Sequence, residues 1–275
     1  MISVLIVGVL PYDSGKTTFA VRLIKEAIEE GFDVGVSKPF GGFNGWYQHE
    51  YVIKSREIKM LVGEDAYKLH TSAKSIDPIE IESPITTLLM PPDPERLGWR
   101  VSYYTSVGSS TQIVLARITS PRSTTHYYVP ENVNKLTPPL REEVKKLITT
   151  LSAEPISMTE LGDLLIKSRS LADECLRYIK RLHDFVVIES YGNYAAPTFG
   201  SLNSDLVIAV APSKAVIFRG KDYKNAISVY SNIKSPWMIT TEDILPALRP
   251  IKKIEFGPEG PKDILNYVVE ASSSL

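Results

Sequence analysis

A glycine, a lysine and a threonine stand together at Gly15-Lys16-Thr17, between an apolar stretch and an amphipathic one. An ammonium group and a hydroxyl at the start of a helix suit phosphate chemistry, because the free N–H groups and the helix dipole attract an anion there. In loops of this kind the lysine contacts the β- and γ-phosphates and the threonine hydroxyl binds Mg²⁺. We expect six residues to contact a nucleoside triphosphate: Asp13, Ser14, Gly15, Lys16, Thr17 and Thr18.

The spacing of this turn departs from the usual pattern G-x-x-x-x-G-K-[ST]. The first glycine of that pattern would fall at Leu10, and the nearest glycine is Gly8. The expectation therefore rests on the Gly-Lys-Thr triplet, on the strand predicted before it and on the helix predicted after it.

An acidic residue, Glu189, follows a second apolar strand predicted at 185–188. Ligands of open α/β sheets bind outside the carboxyl ends of the strands, where this carboxylate is expected to lie. Mg²⁺ prefers a few protein oxygens together with waters and substrate phosphates. We therefore expect Glu189 to bind the metal with Thr17, directly or through water.

The helices and strands that must position these residues are predicted from the spacing of apolar residues along the chain. Residues 2–7 are apolar except for Ser3 and show no alternation, 17–30 carry one apolar stripe and 32–37 form another short strand. This βαβ beginning predicts an α/β fold with a mostly parallel, doubly wound sheet. Further strands are predicted at 206–210, 237–240 and 254–256, and a terminal helix at 261–271.

The middle of the chain is expected to differ in character. Residues 44–94 are predicted to be helical and loop-like, with helices at 53–62 and 65–72 and a proline-rich surface loop at 83–94. A small antiparallel insertion is predicted within 98–135, from strands at 101–104, 112–118 and 125–129. Helices at 141–151 and 159–182 follow, and residues 1–275 are expected to form one domain.

Three segments give the chain a family resemblance: the Gly15-Lys16-Thr17 turn, the strand ending in Lys38-Pro39, and the strand ending in Glu189. Together they resemble the dethiobiotin synthetase type of P-loop NTPase, which includes cobyrinate amidases and CTP synthetase amidoligase domains. The turn also resembles that of molybdopterin-guanine dinucleotide adaptors. The chain is similar, too, to uncharacterised archaeal proteins described as predicted P-loop ATPases or GTPases.

The resemblance implies catalytic roles for Lys16, Lys38 and Glu189, with Lys38 as a second cation that meets the transferred phosphate or the substrate. The Gly-x-Gly-Gly that follows the acid in that family is replaced by Ser-Tyr-Gly-Asn at 190–193, which argues against dethiobiotin synthesis itself. The family's other magnesium aspartate has no clear counterpart after Lys38-Pro39. Glu50 is the candidate for that position.

The base of the nucleotide is predicted less directly. GTP-binding relatives carry Asn-Lys-x-Asp after a late strand, whereas this chain has Thr240-Thr241-Glu242-Asp243. Asp243 either contacts the base or closes a helix capping box with a preceding threonine. We therefore prefer ATP over GTP.

Composition limits the cellular location and the binding partners that we expect for this protein. The net charge is −1 and Cys175 is the single cysteine, which argues against nucleic acid as a partner and against disulfides within the chain. Without a stretch of about 20 apolar residues, we expect a cytoplasmic protein with no membrane contact. Relatives in these families often dimerise, so the resemblance allows a homodimer.

Two functions remain open, with a third behind them. In the first, an ATP-dependent ligase or kinase transfers phosphate to a small molecule beside Lys38 and Asn193-Tyr194. In the second, a nucleotide-dependent adaptor presents residues 101–129 to a protein partner. The third is a polynucleotide 5′-hydroxyl kinase, which the nearly neutral charge disfavours.

Overall fold

The computed structural model describes residues 1–100, 102, 112–230 and 233–273. The chain is of the α/β class and contains two mixed sheets. The first sheet has six strands: β1 (Ile2–Gly8), β2 (Val34–Ser37), β8 (Phe185–Glu189), β9 (Leu206–Ala211), β10 (Lys214–Arg219) and β11 (Lys252–Glu255). Their order is β11-β10-β9-β1-β8-β2.

The second sheet has five strands in the order β3-β4-β5-β6-β7. They are β3 (Phe40–Asn44), β4 (Ile85–Leu89), β5 (Ile113–Ser120), β6 (Ser123–Tyr128) and β7 (Glu154–Pro155). The pairs β3–β4 and β6–β7 are parallel, and β5 is antiparallel to both β4 and β6.

Helices cover both faces of the first sheet and pack on the second. They are α1 (Lys16–Glu29), α2 (His49–Glu57), α3 (Glu64–Ala73), α4 (Ile79–Glu82), α5 (Pro130–Val133), α6 (Pro138–Leu151), α7 (Met158–Lys167), α8 (Arg169–Leu182), α9 (Gly220–Tyr230), α10 (Thr241–Ile244) and α11 (Ile264–Ser272). None of these described helices is both long enough and apolar enough to cross a membrane.

Burial of both faces of β1 explains why residues 4–7 are all apolar. Val4 and Ile6 pack in a core with α1 and α11, whereas Leu5 and Val7 pack in a core with α8 and α9. A strand buried on both faces carries apolar residues at every position. Helix α8 also reaches the second sheet through Ala172, so it lies between the two sheets.

The predicted strands of the first sheet are largely confirmed. Strands β9, β1, β8 and β2 are parallel neighbours, as the βαβ beginning predicts. The sheet is nevertheless mixed, because β10 runs antiparallel to both of its neighbours, β9 and β11. The strand predicted at 237–240 is wrong: Pro236–Met238 form a 3-10 turn, and only Thr240 makes a β-bridge, to Tyr194.

The surface loop predicted at 83–94 is also wrong. Residues Ile85–Leu89 form β4, whose side chains are all buried at the centre of the second sheet. The prolines stand outside the strand, at Pro84 and Pro91, and leave its ladder hydrogen bonds intact. The second sheet thus extends well beyond 98–135, and of the predicted strand 101–104 all but Ser102 lies outside the described residues.

The helices predicted at 65–72, 141–151 and 261–271 are confirmed, whereas α2 spans His49–Glu57 and leaves residues 58–62 of the helix predicted at 53–62 outside it. The helix predicted at 159–182 is two helices, α7 and α8, that meet at Ser168. The Ser168 hydroxyl donates to the carbonyl of Leu164 at 2.7 Å, a bond that competes with the helix ladder. Cys175 is fully buried in α8, as its apolar neighbours predict.

Candidate functional site

The turn 9–15 joins β1 to α1 and is closed by one side chain. Ser14 Oγ accepts from the Leu10 N–H at 2.9 Å and donates to the Leu10 carbonyl at 2.8 Å. Gly15, the residue before α1, has φ +82°, a conformation that favours glycine. The buried serine and the glycine therefore fix a tight turn at the N-terminus of α1.

Gly8 makes room for the lysine of this turn. A Cβ on Gly8 would lie 2.8 Å from each of Lys16 Nζ, Ser14 Oγ and the Gly192 carbonyl oxygen. Lys16 Nζ donates to that carbonyl at 2.9 Å. Burial is the main cause that lowers the pKa of Lys16. The glycine that stands off the usual pattern thus has a role that spacing alone did not indicate.

The hydroxyl of Thr17 lies between two carboxylates. Thr17 Oγ1 is 2.9 Å from Asp65 Oδ1, at the start of α3, and 2.9 Å from Glu189 Oε1, at the end of β8. One hydroxyl has a single proton to donate, so it cannot satisfy both acids at once. Glu189 Oε2 is buried and has no hydrogen-bond partner among the described residues.

Lys38 neutralises this pair of acids. Its Nζ lies 2.9 Å from Asp65 Oδ2 and 3.2 Å from Glu189 Oε1, and the residue is only 4% exposed. Burial acts to lower the pKa of Lys38, but the two carboxylates outweigh burial and raise the pKa above its usual value. Lys38 is therefore a permanent cation at the site.

The two acids respond differently to their surroundings. Burial raises the pKa of Glu189, which is fully enclosed. Burial acts in the same direction on Asp65, but Lys38 and the Thr17 hydroxyl hold the pKa of Asp65 below its usual range. Asp65 lies nearer the surface, with 40% of its side chain exposed.

The loop after β8 fixes the carbonyl that binds Lys16. Tyr191 stacks between Phe40 and Tyr194, with ring centroids 4.8 Å apart in both pairs. Arg169 Nη2 donates to Tyr191 Oη at 3.1 Å. Gly192 has φ +51°, which favours glycine at this bend.

The structure brings together four of the residues singled out from sequence, Lys16, Thr17, Lys38 and Glu189. Ser14 is buried beneath the turn, whereas Asp13 and Thr18 are exposed beside it. The acid missed from sequence is Asp65, which was expected only as the first residue of a helix. No local signal separates it from other acids of a first helical turn.

Glu50 and Asp243 stand apart from this group. Glu50 is exposed on α2, and no hydrogen bond or ion pair in the described part of the chain joins it to Lys38, Thr17 or Glu189. We therefore replace Glu50 with Asp65 as the candidate second acid.

The capping-box hypothesis for Asp243 is confirmed. Asp243 Oδ2 accepts from the Thr240 N–H at 2.8 Å and from the Thr240 hydroxyl at 2.9 Å. The neighbouring Thr241 contacts the end of β1, just before the turn 9–15, by donating to the Gly8 carbonyl at 2.8 Å.

The described residues hold no group of three histidine, cysteine or acidic side chains that could bind a metal by itself. Two carboxylates and a hydroxyl form a sparse oxygen set, of the kind that binds Mg²⁺ together with phosphate and water. No protein-family model, curated protein or solved structure matches this chain.

Proposed function

We propose that the protein is a P-loop NTPase that binds ATP, or less readily GTP, with Mg²⁺ and hydrolyses it or transfers its phosphoryl group to a small acceptor. The observation that carries the proposal is the meeting of Thr17, Lys38, Asp65 and Glu189 at the N-terminus of α1. Side chains from four separate segments of the chain converge there, next to the turn 9–15.

The fold supports this assignment. The turn follows the central strand β1 and lies outside the carboxyl ends of the parallel strands β9, β1, β8 and β2, where open α/β sheets bind ligands. The mixed sheet is compatible with the proposed P-loop fold, because the reversed strand β10 lies on the far side of β9 from β1, β8 and β2.

The residues present fit a magnesium nucleotide. The buried Glu189 Oε2 has no partner in the described chain, and the single proton of the Thr17 hydroxyl cannot satisfy both acids, so carboxylate oxygens are left for a hard cation. Thr17, Glu189 and Asp65 would hold the metal. When bound, Mg²⁺ would neutralise charge that develops on the phosphate oxygens.

The chain's own groups would position and stabilise the phosphates. The Lys16 ammonium now donates to the Gly192 carbonyl and would exchange that partner for phosphate oxygens. Lys38, held by both acids, would stay in place and supply a second positive charge. Phosphoryl transfer depends mostly on such positioning and charge stabilisation, so both lysines are proposed catalytic residues.

The preference for ATP rests on Asp243. Its carboxylate is committed to the cap of α10, so it is not free to recognise guanine as the acid of an Asn-Lys-x-Asp motif does.

A second candidate function is a nucleotide-dependent switch that a protein partner recognises. The exchange expected at Lys16 favours it, because release of the Gly192 carbonyl would free the 190–194 loop to move. Turnover that rises with a metabolite would support the enzyme, whereas slow turnover unaffected by metabolites would support the switch.

Calorimetric titration of Mg·ATP tests the proposal. Lys16→Ala removes a charge-assisted contact and is expected to weaken binding by about 10- to 100-fold. Lys25→Ala, an exposed lysine of the same helix, is the matched control and should bind as the wild type does. Equal affinity of the wild type and Lys16→Ala, or no binding by the wild type, would refute the proposed function.

A further inference from the structure

Arg169, at the start of α8, is a buried arginine whose hydrogen bonds to described residues go to neutral groups. The residue is 7% exposed, and burial lowers the pKa of its guanidinium. The guanidinium carbon lies 4.5 Å from the centroid of the Phe40 ring and 4.6 Å from that of the Trp237 ring. An apolar side chain would pack among these rings without the cost of desolvating a charge, so packing alone does not explain an arginine here.

The guanidinium holds the chain on both sides of Gly192. Arg169 Nη2 donates to Tyr191 Oη at 3.1 Å, and Nη1 donates to the Pro197 carbonyl. The Tyr191 hydroxyl in turn donates to the Trp237 carbonyl at 3.2 Å. A planar fork of donors can make such bonds at its edge while its face stays on aromatic rings, which neither lysine nor methionine can do. Arg169 therefore fixes the loop at Tyr191, before the glycine, and at Pro197, after it.

Between these two points, one loop carbonyl binds Lys16. The Gly192 carbonyl accepts from Lys16 Nζ at 2.9 Å. The next carbonyl, that of Asn193, accepts from the Thr241 N–H at 2.8 Å and so fixes the other side of the bend. The ammonium that the proposed function assigns to phosphate is thus occupied by a carbonyl of the protein itself.

The loop, rather than the lysine, is the part that can move. Lys16 belongs to α1, whose Phe19 and Leu23 are buried in the core of the first sheet. Gly192 has φ +51° and lies in a half-buried, irregular loop. Opening of such a segment breaks fewer buried apolar contacts than displacement of a core helix, so it costs less free energy.

We propose that Arg169 is a positioning residue that acts through Tyr191 and holds a latched state of the 190–194 loop. In the latched state the Gly192 carbonyl occupies the Lys16 ammonium and competes with the phosphates of a nucleotide. That the competing ligand is a nucleotide rests on the proposed function, whereas the hold of Arg169 on the loop does not. Since only the unlatched state binds, the apparent Kd is the intrinsic Kd divided by the unlatched fraction. Arg169 and Tyr191 therefore weaken nucleotide binding.

Calorimetric titration of Tyr191→Phe with Mg·ATP tests the latch. The variant keeps the ring between Phe40 and Tyr194 and removes both hydrogen bonds of the hydroxyl. We expect it to bind Mg·ATP about 3- to 10-fold more tightly than the wild type, the factor that corresponds to one net hydrogen bond. Loss of a residue that only supports the fold would weaken binding or leave it unchanged, so the sign of the change is diagnostic.

Two further variants accompany this measurement. Arg169→Lys keeps the positive charge but cannot reach Tyr191 and Pro197 with a planar fork, so it should also bind Mg·ATP more tightly. Tyr178→Phe, at an exposed tyrosine of α8, is the matched control and should bind as the wild type does. Should Arg169→Lys not fold, Tyr191→Phe decides the matter.

Hydrogen exchange without nucleotide measures the hold on the loop directly. The Thr241 and Ala195 amides donate to the Asn193 and Ile239 carbonyls, so they are released when the loop opens. Tyr191→Phe should speed their exchange by about the same 3- to 10-fold factor. The amides of β1 should exchange as in the wild type.

The two measurements separate this inference from the proposed function. Faster exchange with tighter binding supports both the hold and the latch. Faster exchange with equal or weaker affinity would refute the latch and leave the nucleotide function standing, and exchange as slow as in the wild type would refute the hold of Arg169. If the wild type binds no Mg·ATP, the proposed function and the competition with nucleotide both fail, and the exchange rates still decide whether Arg169 holds the loop.

Discussion

Thr17 is central to the site, because its hydroxyl links α1 to the carboxylates of Asp65 and Glu189. Two carboxylates that share one hydroxyl repel each other, and Lys38 is the group that makes their proximity tolerable. Removing one partner of such a buried group leaves the rest uncompensated. The four side chains therefore act as a unit, and each is best tested by changes that keep shape and alter charge.

Asp65→Asn tests whether the second metal-binding acid is Asp65, which the structure indicates, rather than Glu50, which the sequence suggested. We expect it to lower Mg²⁺-dependent ATP turnover by about 10- to 100-fold, the usual effect of losing a group that orients a metal site. Metal-free nucleotide binding should change little, since the lysines remain. Turnover measured against Mg²⁺ concentration checks this.

Glu50→Gln is the matched control, because Glu50 is an exposed acid in the preceding helix. It should keep the magnesium dependence of the wild type. If Glu50→Gln lost turnover and Asp65→Asn did not, the assignment of the second acid to Asp65 would be reversed.

The helices and strands whose apolar residues follow a clear pattern were predicted well from sequence. Strands β1 and β8 are mostly apolar, and α1 carries a clear apolar stripe, so Lys16, Thr17 and Glu189 could be placed near one another from sequence. Strand β4 could not be recognised, because two threonines and flanking prolines disguise a short buried strand. Asp65 joins the site only through tertiary packing of α3, which no local pattern encodes.

At the opposite end of the first sheet, His183 lies between α8 and β8 in the chain and pairs with two aspartates, Asp33 and Asp77. We call this group the His183 clasp. His183 Nδ1 lies 2.9 Å from Asp33 Oδ1, and Nε2 lies 2.7 Å from Asp77 Oδ2. Gly35 in β2 leaves room for the ring, since a Cβ there would lie 2.5 Å from His183 Cδ2. Burial acts to lower the pKa of His183, but the two aspartates raise it overall.

A raised pKa in the folded state gives a definite sign to the pH dependence. The stabilisation is complete below the unfolded pKa of about 6.5 and is lost as pH rises through the folded value. His183→Gln should therefore cost about 1–3 kcal/mol at pH 5.5 and less at pH 9. Urea denaturation at both pH values measures the difference.

His49→Gln, at an exposed histidine that begins α2, controls for the loss of an imidazole. Its unfolding free energy should differ little from that of the wild type at both pH values. A cost for His183→Gln that grew with pH would contradict the clasp as described.

At the scale of the whole molecule, the site lies where the two sheets are joined. Strand β2 ends at Ser37 and β3 begins at Phe40, so the two-residue link Lys38-Pro39 is where the chain first passes from the first sheet to the second. The Lys38 N–H donates to the Glu82 carbonyl at the end of α4 at 2.7 Å, and its ammonium binds acids from α3 and β8. A ligand that contacts Lys38 therefore interacts with a residue that is bonded to both sheets or to the helices packed on them.

Hydrogen exchange with and without Mg·ATP tests whether nucleotide binding stabilises the two sheets together against local opening. A ligand at 100 times its Kd stabilises the folded state by about 2.7 kcal/mol, and exchange slows wherever opening breaks the site. Because Lys38 and Asp65 belong to it, we expect protection at 40–44 and 63–67 as well as at 9–18. The edge strand β11 should exchange as before, and Lys16→Ala at the same ATP concentration should show much weaker protection than the wild type. Protection confined to 9–18 and 189–194 would mean that the second sheet opens independently of the nucleotide.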